Sequence, residues 1–166
     1  MKVYHGSNVE IEEIDLNRCS KYKDFGQGFY VTTLESQAMD MARRTVKRFG
    51  GKPIVTIFEF DDSRLEEVKF KSFDVSEKWA LMVINNRNKE FTDYDNELSN
   101  HDNKYDIVYG PIANDKIATT FDLYVGGFYT LTDVTKKFTY NELNNQYSFH
   151  TSKSLELLTK DGVING

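Results

Sequence analysis

Two short runs of the sequence carry groups suited to a flat, sugar-bearing ligand. The first is Tyr4-His5-Gly6-Ser7. Its imidazole can hydrogen-bond a sugar hydroxyl, and the adjacent glycine leaves its peptide N–H and C=O open to a ligand amide. The second is Phe25-Gly26-Gln27-Gly28-Phe29-Tyr30. Gly26 and Gly28 can adopt backbone angles closed to other residues and let a ligand approach the main chain, and Tyr30 sets a flat ring beside them. Each run also has a plain structural reading, as a strand-end histidine and as a glycine-flanked hairpin turn with a core tyrosine. Other chemistry has less support. Cys19 with His101 or His150 is the only material for a Cys/His nucleophile, and no metal-ligand spacing occurs among three histidines and one cysteine. A dinucleotide-binding oxidoreductase would need a third glycine and a helix directly after the turn, whereas here a strand follows.

Met1, Val3 and His5 alternate with Lys2 and Tyr4, which predicts a first strand over Lys2 to Tyr4. Asn8 to Lys23 reads as a loop with one short turn. Phe29 to Thr33 has the composition of a half-buried strand, with Phe29, Val31 and Thr33 on one face and Tyr30 and Thr32 on the other. A helix follows to about Phe49, with Thr33 as cap, Gln37 behind it, and an apolar stripe of Leu34, Ala38, Met41, Ala42, Thr45 and Phe49; Gly50-Gly51 ends it. Arg43, Arg44, Lys47 and Arg48 lie mostly off that stripe near the carboxyl end, as a solvated face or as an anion contact.

Pro53 to Asp61 is apolar on both faces and reads as a central strand, with a more polar strand around Val68 to Lys71. Asp74 to Asn88 reads as a helix with Trp79 in the core and Asp74 or Ser76 as cap. Lys89 to Lys104 is loop, and Tyr105 to Tyr109 is a strand closed by Gly110-Pro111. Asn114 and Asp115 could line a site or simply make a turn. Helices are expected over Thr119 to Leu131 and Thr132 to Phe138, a last strand over Gln146 to Thr151, a closing helix over Ser152 to Leu158, and a fraying tail to Gly166.

The chain of 166 residues suits one domain, residues 1–166, able to bury about two-thirds of its unfolded surface. Its 28% charged and 39% hydrophobic residues are globular, and 14% aromatic favours strands and stacking surfaces. The net charge of −5 gives no global field for nucleic acid. With a single cysteine, no signal-like leader and no run of 18 apolar residues, a cytoplasmic protein without a membrane partner is expected.

In that order, Tyr4-His5-Gly6-Ser7, Phe25-Gly26-Gln27-Gly28-Phe29-Tyr30 and a helix opening Ser36-Gln37-Ala38 resemble ADP-ribosyltransferases of the diphtheria-toxin and poly(ADP-ribose)-polymerase branch. Lys23 to Thr33, Trp79 with Asn86-Arg87, Tyr105 to Asp115, and Asn145 to Phe149 resemble an uncharacterised bacterial family of short transferase-like, toxin-like proteins, over nearly the whole length. The resemblance implies an α+β fold of two small, mostly antiparallel sheets around an NAD cleft with flanking helices. It implies NAD as substrate, no metal, single transfer of ADP-ribose to an acceptor (protein, nucleic acid or small molecule), and a neutralising partner encoded nearby. His5, Gly6, Ser7, Gly28, Tyr30 and Thr32 are implied NAD contacts, with His5 on the adenosine-side ribose, Gly6 on the carboxamide and Tyr30 stacked on nicotinamide. The catalytic set implied is Gln146, His5 and Tyr30. Where the branch mostly carries a glutamate, this chain has Gln146, and Met41 lies near the place of another stacking tyrosine. These departures favour single transfer, hydrolysis of NAD, or an NAD/ADP-ribose-binding module acting through a partner over polymer synthesis, with Glu142 as the nearby carboxylate.

Overall fold

In a computed structural model, residues 1–113, 115–138 and 144–166 are described. The architecture is α+β, with two small sheets and five helices among the described residues. The first sheet holds β1 (Lys2–Ser7), β3 (Ile54–Phe60) and β7 (Leu158–Asn165), with β3 in the middle and antiparallel to both neighbours. The second has the order β2 (Phe29–Val31), β6 (Asn145–Phe149), β5 (Ile107–Pro111), β4 (Phe70–Ser72). All its pairings are antiparallel except β4 with β5.

Alternation along β2 and β6 assigns each residue its layer. Phe29, Val31, Phe149 and Ile107 face the first sheet and close a dry core with Val3, Phe58, Phe60 and Leu157. The opposite face, with Val108, packs on α2 (Glu77–Arg87), α3 (Asp115–Val125) and α4 (Leu131–Phe138) through Trp79, Met82, Val83, Ile117, Phe121 and Val134. Trp79 is fully buried, and its indole N–H donates to the Pro111 carbonyl at 3.0 Å. Ser76 caps α2 by accepting from the Trp79 N–H.

Five sequence expectations are corrected. The tail does not fray: residues from Leu158 to Asn165 run along β3 as a full edge strand, with a bulge at Asp161, whose carboxylate takes Lys2 Nζ at 2.8 Å. Its inward positions include Lys160 and Gly162, so hydropathy does not reveal a strand; Lys160 is satisfied there by Glu10 and Glu12. The closing helix accordingly shrinks to α5 (Ser152–Leu155), started by a capping box at Thr151. Helix α3 ends at Val125 because Gly126-Gly127 turns the chain, Gly127 with φ +82°. Helix α1 (Glu35–Phe49) buries only Ala38 and Ala42, while Leu34, Met41 and Phe49 are exposed. It lies so close to β1 that only small residues fit, and the larger apolar positions turn out to solvent. Thr33 is not its cap either; the Thr32 hydroxyl accepts from Leu34 N–H at 3.1 Å and donates to Gln37 Oε1 at 2.7 Å. Arg43, Arg44, Lys47 and Arg48 are exposed. Among the described residues no helix is long and apolar enough to cross a membrane.

Candidate functional site

Strands β1 and β2 meet at one point. Tyr4 and Thr32 exchange both peptide hydrogen bonds, at 2.8 and 3.0 Å. In an antiparallel pair the next exchange, two residues on, would join Gly6 with Tyr30. That exchange is not made. Instead the His5 ring crosses over, and its Nδ1 donates to the Tyr30 carbonyl at 2.7 Å. The strands therefore split just beyond Tyr4, and the alternation of the ladder turns the Gly6 N–H and C=O and the Tyr30 N–H toward the split, where no backbone bond joins Gly6 to Tyr30.

The same bond determines what His5 can offer. A carbonyl only accepts, so Nδ1 carries the proton and Nε2 is left as an acceptor. Burial lowers the imidazole pKa and keeps it neutral, and the ring is stacked on Phe29 at 4.4 Å. Gly6 lacks a side chain because of α1: a Cβ there would lie 1.8 Å from the Ala38 carbonyl oxygen. Its bareness serves helix packing, and its open peptide edge comes from the split.

Tyr30 lies on the face of β2 away from Phe29. Its hydroxyl donates to the Gly26 carbonyl at 2.7 Å and accepts from the Phe25 N–H at 3.0 Å, so the Phe25-Gly26 turn holds the ring. Gly26 has φ +94°, a conformation open chiefly to glycine. Burial raises the phenol pKa well above its ordinary value, and the Lys23 ammonium sits 5.7 Å from the ring centre. Gly28 is bare for a different reason. A Cβ would meet His150 Nδ1 at 2.6 Å, because that ring donates to the Gln27 carbonyl at 2.8 Å while its Nε2 accepts from the Ser148 hydroxyl, also at 2.8 Å. Burial pushes the His150 pKa down to about 4.

Gln146 is nearly buried, opposite Gly110 on β5 and on the same face of β6 as Ser148. Continuing the β2–β6 register one step past Val31 and Tyr147 places it beside Thr32. Its Nε2 donates to Asp24 Oδ2 at 3.0 Å. Asp24 Oδ2 also accepts the Ala113 N–H at 3.0 Å, and Oδ1 accepts Arg87 Nε at 2.8 Å and Nη2 at 2.5 Å. Arg87 further donates to the Ala113 carbonyl at 3.1 Å. The loop before β2, the end of α2 and the strand end of β6 are thus joined at one carboxylate.

The chain matches, over residues 1–159, the model of a family described as a protein of unknown function, DUF3990. It belongs to that family. No curated protein and no solved structure matches it.

The DUF3990 match spans the split, the turn and β6 together. Of the residues singled out in the sequence, the structure brings His5, Gly6 and Tyr30 to the split. Thr32 and Gly28 adjoin it, with the Thr32 hydroxyl engaged at the start of α1. Ser7 ends β1, its hydroxyl 3.5 Å from Asn8 Oδ1. Asn114, Glu142 and the side chain of Asp115 lie outside the described residues. Met41 is exposed on α1. Cys19 forms no pair with a histidine: its thiol donates to the Asp15 carbonyl at 3.5 Å, and burial raises its pKa, which disfavours the thiolate. His101 instead bonds the Asn85 carbonyl and stacks on Phe91. A cavity of about 360 Å³ opens elsewhere, between Glu13, Asp15, Arg18, Ser152 and Leu155, and includes none of the residues at the split.

Sequence reasoning did not assign Asp24 and Arg87 to the site. They lie 63 residues apart in the chain. The only available signal was their occurrence within two of the runs that carry the family resemblance.

Proposed function

We propose that the chain binds NAD across the split between β1 and β2 and transfers a single ADP-ribose from it to an acceptor. One observation carries this reading: the unmade Gly6–Tyr30 exchange, with the His5 ring in its place. A carboxamide is the ligand group that matches a peptide N–H and C=O side by side, since it offers one acceptor and two donors. With nicotinamide held at Gly6 and its ring against Tyr30, a hydroxyl of the adenosine-side ribose donates to His5 Nε2 and one of the nicotinamide-side ribose to the Gln146 carbonyl. When the bond from ribose to nicotinamide breaks, its electron pair leaves with the nicotinamide. The ribose carbon gains positive charge and bonds to the acceptor nucleophile, whose proton is released to water. Gln146 meets that charge with a dipole only, so turnover is slow.

A second reading, an NAD-binding module without turnover, is favoured by one feature. Asp24, the carboxylate bonded to Gln146, is already engaged by Arg87 and Ala113. Calorimetry with NAD and a nicotinamide-release assay separate the readings. Binding with slow release that Gln146→Ala abolishes supports transfer. Binding with no release from the native protein supports the module; Gln146→Glu would set a second carboxylate where Nε2 now stands 3.0 Å from Asp24, and the pair would repel or share a proton. No binding, or binding unaffected by His5→Ala, removes the split as the site.

A further inference from the structure

The polar contacts of Gln146 are not symmetrical, and their asymmetry determines what a ligand meets. Asp24 is a carboxylate, which only accepts, so the end of the amide facing it must be Nε2. The carbonyl Oε1 is then the free end. It takes no hydrogen bond from any described residue and is not sealed among the buried unpaired atoms. The carboxylate is itself held in place, since Arg87 and Ala113 supply three further N–H donors and leave no freedom to turn it.

We infer that Asp24 is a positioning residue that determines which ligands the site accepts, by holding Gln146 with its carbonyl presented. This rests on the reading of the split as an NAD site. The consequence is a requirement for a donor: the ribose hydroxyl beside the departing nicotinamide has to give a proton to Oε1. His5 is oriented by the same logic, with the Tyr30 carbonyl in place of the carboxylate, so both side chains offer acceptors to a sugar that offers hydroxyls. Asp24→Asn replaces the acceptor-only partner with one that can donate. The Gln146 amide can then turn over, and its NH2 faces the ligand.

The test compares NAD with an analogue in which that ribose hydroxyl is replaced by fluorine, which cannot donate. The native protein is expected to bind NAD at least about tenfold more tightly than the analogue, because the fluorine leaves Oε1 unpaired. In Asp24→Asn the preference should shrink to about twofold or less. Equal weakening of both ligands with the preference kept would mean that Asp24 is structural only, and would overturn the inference. Should the variant not fold, the native protein still decides. The Gln146 Nε2 protons, identified by their loss from the NMR spectrum of Gln146→Glu, should exchange slowly and show a nuclear Overhauser contact to the Ala113 amide proton, since both donate to Asp24 Oδ2. Fast exchange without that contact would overturn it as well. If those resonances behave as expected while neither ligand binds, the NAD reading fails, and with it the ligand-selecting role, leaving the orientation of the amide as a property of the fold.

Discussion

The two faces of the four-stranded sheet are built from the same strands and follow opposite rules. Toward the first sheet, Phe29, Val31, Phe149 and Ile107 meet Val3, Phe58 and Phe60, with Phe149 and Phe60 edge to face at 5.1 Å. No side-chain polar atom of these residues has to be satisfied, and shape alone decides the fit. On the other face, Tyr30, Thr32, Gln146 and Ser148, with His150 just past the strand end, are tied one atom at a time to Gly26, Leu34, Asp24 and Gln27. Buried polar groups contribute little net stability when paired and cost heavily when left alone. The β2–β6 half of that face therefore contributes geometry more than stability, while around Val108 the same face joins the apolar cluster of Trp79, Met82 and Val83. Both potential ligand acceptors, His5 Nε2 and Gln146 Oε1, are oriented by pairing their other end with a group that can only accept.

The sharpest way to break this contrast is at the dry face. Phe149→Ala should destabilise the protein by about 3–5 kcal/mol in urea unfolding, with NAD affinity of the folded fraction little altered. A loss below about 1 kcal/mol would show that the dry face is not what joins the sheets.

The next test uses pH. His150 titrates at about 4 in the folded protein and near 6.5 unfolded, so the unfolded chain takes up the proton first as pH falls. The stabilisation is complete above about pH 6.5 and is lost progressively down to about pH 4, roughly 3 kcal/mol in all. The loss reflects desolvation of the cation, since the Ser148 hydroxyl can turn to the Val108 carbonyl at 3.2 Å and leave its oxygen for a protonated ring. His150→Gln should flatten unfolding free energy against pH in that window. An unchanged slope would assign the titration to other groups.

The smallest effect sharpens the comparison. Tyr30→Phe removes one donor to Gly26 and leaves the Phe25 N–H without its acceptor, so it should cost about 1–3 kcal/mol of stability and weaken NAD binding modestly through a looser turn. Full stability with unchanged NAD affinity would mean that the hydroxyl does not hold the ring.

The sequence by itself determined which residues share a face, but not where the strands end: β1 runs on through Gly6 to Ser7, past the Tyr4 expected to close it, and β2 stops at Val31, short of Thr33. Alternation in Phe29 to Val31 and in Pro53 to Asp61 assigns faces without any tertiary information, because side-chain direction in a strand has period two. Trp79 at helical spacing with Met82 and Val83 was legible as core for the equivalent reason, and His5-Gly6 and Gly26-x-Gly28-x-Tyr30 were legible as groups suited to a ligand. Tertiary structure decided the rest. Edge strand β7 depends on β3 to cover Lys160 and Gly162, which carry no hydrophobic signal. The bareness of Gly6 and Gly28 answers to Ala38 and His150, which approach only when the chain is folded. Asp24 meets Gln146 across 122 residues, and no local pattern encodes a hydrogen bond between groups so far apart, because it is selected by the packing of three elements around one carboxylate.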